Sequence, residues 1–496
     1  MITETRSSGI LLHISSLPSA YGIGNLGKEA YAFVDFMKKA GQKYWQILPI
    51  GPCGYGDSPY QSFSSFAGNP YLIDPDRLAE EGLLLSEELN TVSWGNTPAR
   101  TDYGILYEKR MPLLRKAFKR FQTEHETELA EYIRKEGDWL LEYALFMAVK
   151  NKFGDGPWTA WPKEIRLHQK KAVEELRAEL SDDVKFHCFL QYEFDRQWKD
   201  LLSYAHENGI RIIGDIPIYV PLDCADVWTS PENFQLKRTR RPRVVAGCPP
   251  DAFSRNGQFW GNPIYDWNRM EKDGFSWWLK RIESAKRHFD VVRIDHFRGL
   301  ESYWSIPGEN KTARRGHWEK GPGKAFVDAV RRAFPEMDFI AEDLGYLTPE
   351  VMELVRYSCW PGMKVLEFAF DPREPGMYLP HTYPKNCVCY TGTHDNETLI
   401  QWCEGQSREV IAYAREYLKI RDDEDLAEAI IRAGMQSNAG LFIVQIQDYL
   451  RLGKEARMNH PGSLLPENWS WRLVSGQADG ALCDRIFALT AEAGRT

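Results

Sequence analysis

The stretch Asp290-Val-Val-Arg-Ile-Asp-His-Phe-Arg298 opens apolar and ends in charge. Val291, Val292 and Ile294 read as a buried strand, and Arg293 and Asp295 fit it only at an exposed end. Strand side chains alternate faces, so Arg293 and Asp295 point the same way. A cation beside a carboxylate favours its charged form, and an ionised, positioned Asp at a strand's carboxyl end suits a nucleophile in sugar chemistry. A structural ion pair at a strand end is the plainer alternative for this stretch alone.

The same pattern recurs along the chain. Apolar runs ending in polar groups are found at Ile210 to Val220 with Asp215 inside, Asp338 to Gly345 with Glu342 and Asp343, Met363 to Asp371, Cys387 to Asn396 with His394 and Asp395, and Gly440 to Asp448. Gly9 to Ile14 and Tyr44 to Pro49 read as earlier strands. Helical patterns alternate with most of them, among them Lys28 to Lys39, Gly323 to Phe334 and Ser407 to Ile420. Alternating strands and helices imply a parallel sheet, and about eight strands fit closure as a (β/α)8 TIM barrel, the fold in which catalytic groups gather at strand carboxyl ends. We read residues 1–496 as one such catalytic domain, with a mainly helical insertion at 77–204. A loop-rich insertion at 221–275 carries Phe253, Trp260 and two glycines suited to a lid.

Composition narrows the chemistry. The 496 residues are 43% hydrophobic and 27% charged, with net charge −8, which argues against nucleic acid as main partner. The basic run Leu236 to Arg243 stands out against that acidity and reads as a solvated loop. No apolar window long enough for a membrane span and no signal peptide is read, and nine scattered cysteines suit reduced thiols in the cytoplasm. Cys387 and Cys389 read as core residues. Gly22-Ile-Gly-Asn-Leu-Gly27 matches a dinucleotide fingerprint in letters only, since a proline loop precedes it and the later acidic residue is missing. Several carboxylates, few histidines and no phosphate loop fit glycosyl transfer, which needs one carboxylate to attack and one protonated carboxyl to release the leaving oxygen. Mg2+ or Ca2+ binding by the same carboxylates is the rival.

Gly214-Asp-Ile-Pro-Ile-Tyr-Val220, Val292-Arg-Ile-Asp-His-Phe-Arg298, Ala341-Glu-Asp-Leu-Gly345 and Thr391-Gly-Thr-His-Asp-Asn396 resemble the four motif regions of the α-amylase superfamily, and more narrowly those of the 4-α-glucanotransferases. Ser58 to Leu72, Gly257 to Pro263, Ala313 to Gly316 and Ala456-Arg-Met-Asn459 are similar to the same family, in family order. The resemblance implies retaining transfer of α-1,4-glucan segments between maltooligosaccharides or starch-like glucans, without a cofactor. By match of motif, Asp295 would be the nucleophile, Glu342 the general acid/base and Asp395 the stabiliser of the distorted donor ring. Arg293 would orient Asp295, and His394 would bond the same sugar. Asp215 would support them, Tyr60 and Trp260 would stack on rings, and Asp371 and Asn396 would bind hydroxyls. Tyr55 and Tyr103 resemble positions of a second glucan groove. A glucan hydrolase and a binding protein without turnover are the alternatives. One departure is the loop at Lys237 to Arg243, more basic than the family pattern leads us to expect.

Overall fold

The computed structural model describes residues 2–54, 56–250, 255–373 and 376–496. Eight short strands form its centre: β1 (Ser7–Leu11), β2 (Tyr44–Gln46), β3 (Arg211–Pro217), β4 (Val291–Asp295), β5 (Asp338–Ala341), β6 (Gly362–Val365), β7 (Cys387–Tyr390) and β8 (Leu441–Gln445). All pairings are parallel, in the order β6-β7-β8-β1-β2-β3-β4-β5. Asp343 and the Ala341 amide close the remaining seam between β5 and β6. Ala341 N donates to Pro361 O at 2.9 Å, and Met363 N donates to the Asp343 carboxylate at 2.7 Å. A Cβ on Gly362 would lie 2.4 Å from that carboxylate, so the seam closes only around a glycine. The result is the expected (β/α)8 barrel.

The strands are nearly all buried because helices wrap them. Lys28–Lys39 turns Phe33, Val34 and Met37 inward, and the chain leaves through Gly41 at φ 70°. Pro349–Ser358 starts at a Thr348 cap with proline in its first turn. The segment between β2 and β3 carries helices from Pro75–Glu80 to Ser181–Glu207. The last of these is long because its apolar face runs through Val184, Phe186, Phe189 and Phe194. Gly137, at φ 72°, separates the helices Glu126–Glu136 and Asp138–Lys152.

Two expectations change. Residues 221–275 are more regular than their sequence suggests. Val244–Cys248 pairs antiparallel with Gln258–Pro263 and with Ser302–Pro307, and His317–Lys320 completes a four-stranded ribbon over the barrel mouth. Phe253, part of the lid expectation, lies outside the described residues. The run Met363 to Asp371 is not one strand: β6 ends at Val365 and a 3-10 turn, Leu366–Phe368, follows. Among the described residues no helix is long and apolar enough to cross a membrane.

Candidate active site

Register brings the first charges together. Asp215 on β3 pairs with Arg293 on β4, and Pro217 with Asp295. Adjacent parallel strands lie about 4.8 Å apart, so Arg293 reaches both carboxylates. Its Nη1 donates to Asp215 Oδ2 at 2.6 Å and lies 2.9 Å from Asp295 Oδ1. Its Nε faces Met363 Sδ on β6 at 3.4 Å. Arg293 is buried, and its charge is held by the carboxylates that flank it. Asp215 also accepts from Tyr60 Oη at 2.8 Å, while its Oδ1 is buried without a partner. Burial, opposed by Arg293, raises the Asp215 carboxyl to about 7.

Glu342 follows β5 directly. Its two oxygens accept backbone amides, Oε2 from His296 and Oε1 from Leu344, each at 2.7 Å. His296 is the residue after Asp295 and stands at φ 52°, a left-handed conformation that costs a side chain about 1–3 kcal/mol. That kink aims its amide at the glutamate. Burial first, then the Asp295 charge, raises the Glu342 carboxyl to about 8 despite Arg293 and the two amides. Strand register thus sets a protonated glutamate beside an aspartate gripped by arginine.

Asp395 stands on the turn after β7. Thr393 shapes that turn by donating N–H and O–H to Asn396 Oδ1 at 3.0 and 2.9 Å, so Asn396 serves the backbone with that oxygen. The Asp395 carboxylate accepts Asn459 Nδ2 at 2.6 Å and lies 3.4 Å from His394 Nε2. The His394 ring stacks on Tyr60 with centroids 4.7 Å apart, and its Nδ1 lies 3.2 Å from Tyr60 Oη. Burial lowers the His394 pKa, and that of His13 beneath it to about 3, so both rings are neutral at pH 7.

Of the expected residues, the structure therefore brings together Asp215, Arg293, Asp295, Glu342, Asp395, His394 and Tyr60. Trp260 joins them from the ribbon, its ring edge-on to His296 at 4.8 Å. Tyr103 stands one layer behind: its hydroxyl donates to the Trp469 carbonyl at 2.9 Å, and the Trp469 ring packs 5.8 Å from His394 and 5.9 Å from Tyr60. Tyr55 lies outside the described residues. Asp371 is not at a strand end, because the chain has already turned. Arg373 takes both its oxygens, at 2.9 and 2.6 Å, which pulls its pKa down to about 2.

Four contributors had no role assigned from the sequence: Trp469, Asn459, Arg457 and His13. The motif Ala456-Arg-Met-Asn459 held the only signal for two of them. Arg457 donates to the Asp395 carbonyl at 3.0 Å and the Asn459 carbonyl at 2.9 Å, and lies 3.2 Å from Glu397 Oε1. Behind this turn, burial drives Glu367 well above the carboxylate range and Asp448 to about 7. Gly22 to Gly27 forms a tight entry to the first helix, where a Cβ on Gly24 would meet Ile14 O at 2.0 Å, so packing explains these glycines. Among the described residues no cluster of three or more His, Cys, Asp or Glu side chains has metal-holding geometry.

Known proteins resemble the chain in sequence and in fold. A family described as 4-alpha-glucanotransferase matches residues 12–476. A 4-alpha-glucanotransferase of Clostridium butyricum is 48% identical over 98% of this chain and 100% of its own, and one of Thermus thermophilus is 48% identical over 95% of each. The solved amylomaltase of Streptococcus agalactiae, a complex with acarbose, superposes with TM-score 0.97 at 40% identity, covering 99% of this chain and 100% of its own. Amylomaltase from Corynebacterium glutamicum, at 19% identity and TM-score 0.77, shares the fold. With its family profile, close relatives and barrel in agreement, the chain belongs to the 4-alpha-glucanotransferase family.

Proposed function

We propose that the cleft moves α-1,4-glucan segments between maltooligosaccharides or starch-like glucans by double displacement with retention. The observation that carries this reading is the unequal pair at the ends of β4 and β5. Asp295 has a buried guanidinium at 2.9 Å, whereas burial and Asp295 keep Glu342 protonated. In the first step an Asp295 oxygen attacks the anomeric carbon as the glycosidic bond breaks, and Glu342 gives its proton to the departing oxygen. In the second, Glu342 takes the proton of an acceptor 4-hydroxyl, that oxygen attacks the anomeric carbon, and the ester to Asp295 breaks. The free carboxylate and the protonated glutamate are thereby restored.

Asp395, oriented by Asn459, holds hydroxyls of the distorted donor ring, and His394 bonds the same sugar. Arg293 and Asp215 set the position of the nucleophile. Tyr60, Trp260 and Trp469 give aromatic walls that favour a sugar over water as acceptor. Asn396 and Asp371 add hydroxyl contacts, Asp371 after release from Arg373. Tyr55 and Tyr103 are candidates for a second glucan groove, a role that for Tyr103 competes with its support of Trp469. The chemistry uses no cofactor. Nine cysteines, all free thiols, support a cytoplasmic setting.

The test uses purified protein, maltotriose and a chelator, with product lengths and reducing ends followed together. A ladder of longer glucans plus glucose at nearly constant reducing ends is expected. Rising reducing ends without a ladder would make the protein a hydrolase, and unchanged maltotriose and longer donors would leave a binding protein.

A further inference from the structure

The run Leu236-Lys-Arg-Thr-Arg-Arg-Pro-Arg243 takes no part in the transfer chemistry, yet its fold is defined. Leu236 and Pro242 form an antiparallel bridge. Lys237 N donates to Arg241 O and Arg240 N to Lys237 O, both at 2.8 Å, with Arg240 left-handed at φ 69°. The hairpin thus displays Lys237, Arg238, Arg241 and Arg243 to solvent. A second basic turn lies against it, where Gly308 N donates to Arg243 O at 2.9 Å. That turn exposes Lys311, Arg314 and Arg315. Within the two segments Glu309 is the one carboxylate, and it pairs with Lys237 at 3.4 Å. A chain of net charge −8 has therefore gathered five cations, Lys237, Arg238, Arg240, Arg241 and Arg243, in one hairpin tip, while the neighbouring turn runs on toward the far end of the strand, where Arg314 Nε donates to Arg255 O at 3.3 Å. Such crowding repels itself and draws anions.

The location names the anion. Arg243 leads directly into Val244–Cys248, the ribbon strand whose partner Gln258–Pro263 carries Trp260. Gly247 stands opposite Phe259, so the tip lies about three strand residues, roughly 10 Å, from the level of Trp260. A glucan leaving the cleft past Trp260 and following the ribbon strand toward Arg243 would reach this tip. A uniformly charged polyanion would meet repulsion from the acidic remainder. A neutral sugar chain with occasional phosphates meets charge only at the tip, where arginine can bond phosphate bidentately.

We propose that this basic tip extends the glucan cleft and selects α-glucans bearing phosphate monoesters; the proposal rests on the transferase reading of the cleft. The test compares a dextrin carrying glucose 6-phosphate residues with the same dextrin after phosphatase treatment, for wild type and for the variant Arg238→Gln/Arg241→Gln/Arg243→Gln. The wild type is expected to show a KM about fivefold lower for the phosphorylated dextrin at low salt, the scale of one or two exposed charge-assisted contacts. That preference is expected to vanish in the variant and at about 0.5 M salt, where screening is short-ranged, while maltotriose turnover is the same in both proteins. Equal KM values in the wild type, or a preference the variant keeps, would overturn the proposal. Tighter wild-type binding of a single-stranded oligonucleotide than of the phosphorylated dextrin would also overturn it and give the tip to nucleic acid. Failure of wild type on maltotriose would strike the transferase reading instead. Affinity electrophoresis in the two dextrins would then decide. If the phosphorylated dextrin alone retards wild type more strongly than it retards the triple substitution, the tip is supported; equal retardation of the two proteins removes it.

Discussion

The two halves of the barrel mouth build their share of the site by different means. On the β3–β5 side, adjacent strands deliver the groups mainly through register: Asp215 opposite Arg293, Asp295 two residues on, Glu342 just past the next strand's end, where the His296 and Leu344 amides hold it. On the β6–β8 side the strands stop early and turns do the placing. Asp395 stands on a turn tied by Asn396, and its orientation depends on Arg457 and Asn459, more than 60 residues later. A sheet holds its groups with bonds shared by many residues, so single substitutions there act on chemistry and charge. Turns hold theirs with a few side-chain bonds, so substitutions there act on position.

Glu342→Gln offers the largest expected effect. Transfer from maltotriose should fall about 10³-fold, as for loss of a general acid, while a glycosyl fluoride donor, whose leaving group needs no proton, should still load Asp295. The wild-type kcat/KM should fall as pH rises through about 8, where Glu342 loses its proton. The same shift has a stability consequence. Between the ordinary value of 4.5 and about 8, the folded chain holds a proton that the unfolded chain has lost. Wild-type stability contributed by this group is therefore full below 4.5 and declines through that window. The amide has no such proton, so the variant's Tm advantage should grow from pH 5 to 8 and then level. A flat difference would mean that Glu342 is not held protonated.

Arg293→Gln comes next and tests the sheet side as a charge device. It leaves Asp215 and Asp295 facing each other without their buried cation, and breaking such a group costs about 3–5 kcal/mol. Urea unfolding should show a loss of that order, with turnover reduced about a hundredfold. Arg293→Lys should recover stability more than rate, because an ammonium cannot span both carboxylates as the fork does. Equal recovery of both would reduce Arg293 to a structural cation.

The contrast also explains what the sequence disclosed. Period-two alternation and a charge at a strand's end are local signals, and they led to Asp215, Arg293, Asp295 and Glu342. The run Met363 to Asp371 carries the same signal falsely. Leu366, Phe368 and Phe370 are as apolar in a turn as in a strand, so nothing local marks the end of β6 at Val365. Trp469 and His13 show no signal at all. Trp469 belongs to a tail without periodicity, and His13 follows β1 as one more residue of an apolar run. Arg457 and Asn459 were visible only through family resemblance, because their partner Asp395 is remote in the chain.

Arg457→Gln probes the turn side. Three bonds from one guanidinium fix Asp395, Asn459 and Glu397. Losing charge-assisted hydrogen bonds of about 1.5–3 kcal/mol each lowers kcat by roughly tenfold to a hundredfold. Maltotriose KM should change little, since the cost falls on the distorted ring that Asp395 holds. A change confined to KM would place Arg457 in ground-state binding.

The smallest expected effect is that of Tyr103→Phe, and it separates two roles for that residue. Trp469 occupies a left-handed backbone conformation, φ 62°, that a bulky side chain avoids without outside support. Tyr103 gives part of that support through its hydroxyl on the Trp469 carbonyl, at 2.9 Å. Loss of one neutral hydrogen bond, about 0.5–1.5 kcal/mol, loosens the Trp469 ring that walls His394 and Tyr60. Water then competes better for the glycosyl-enzyme, so hydrolysis should rise relative to transfer about two- to fivefold, on maltotriose and on long amylose alike. If Tyr103 acts instead as a platform in a second glucan groove, its ring does the work and the ring survives in phenylalanine. In that case Tyr103→Phe leaves both ratios unchanged, and Tyr103→Ala raises KM for amylose alone. A shared rise in hydrolysis assigns Tyr103 to the turn side of the active site; an amylose-only response assigns it to the groove.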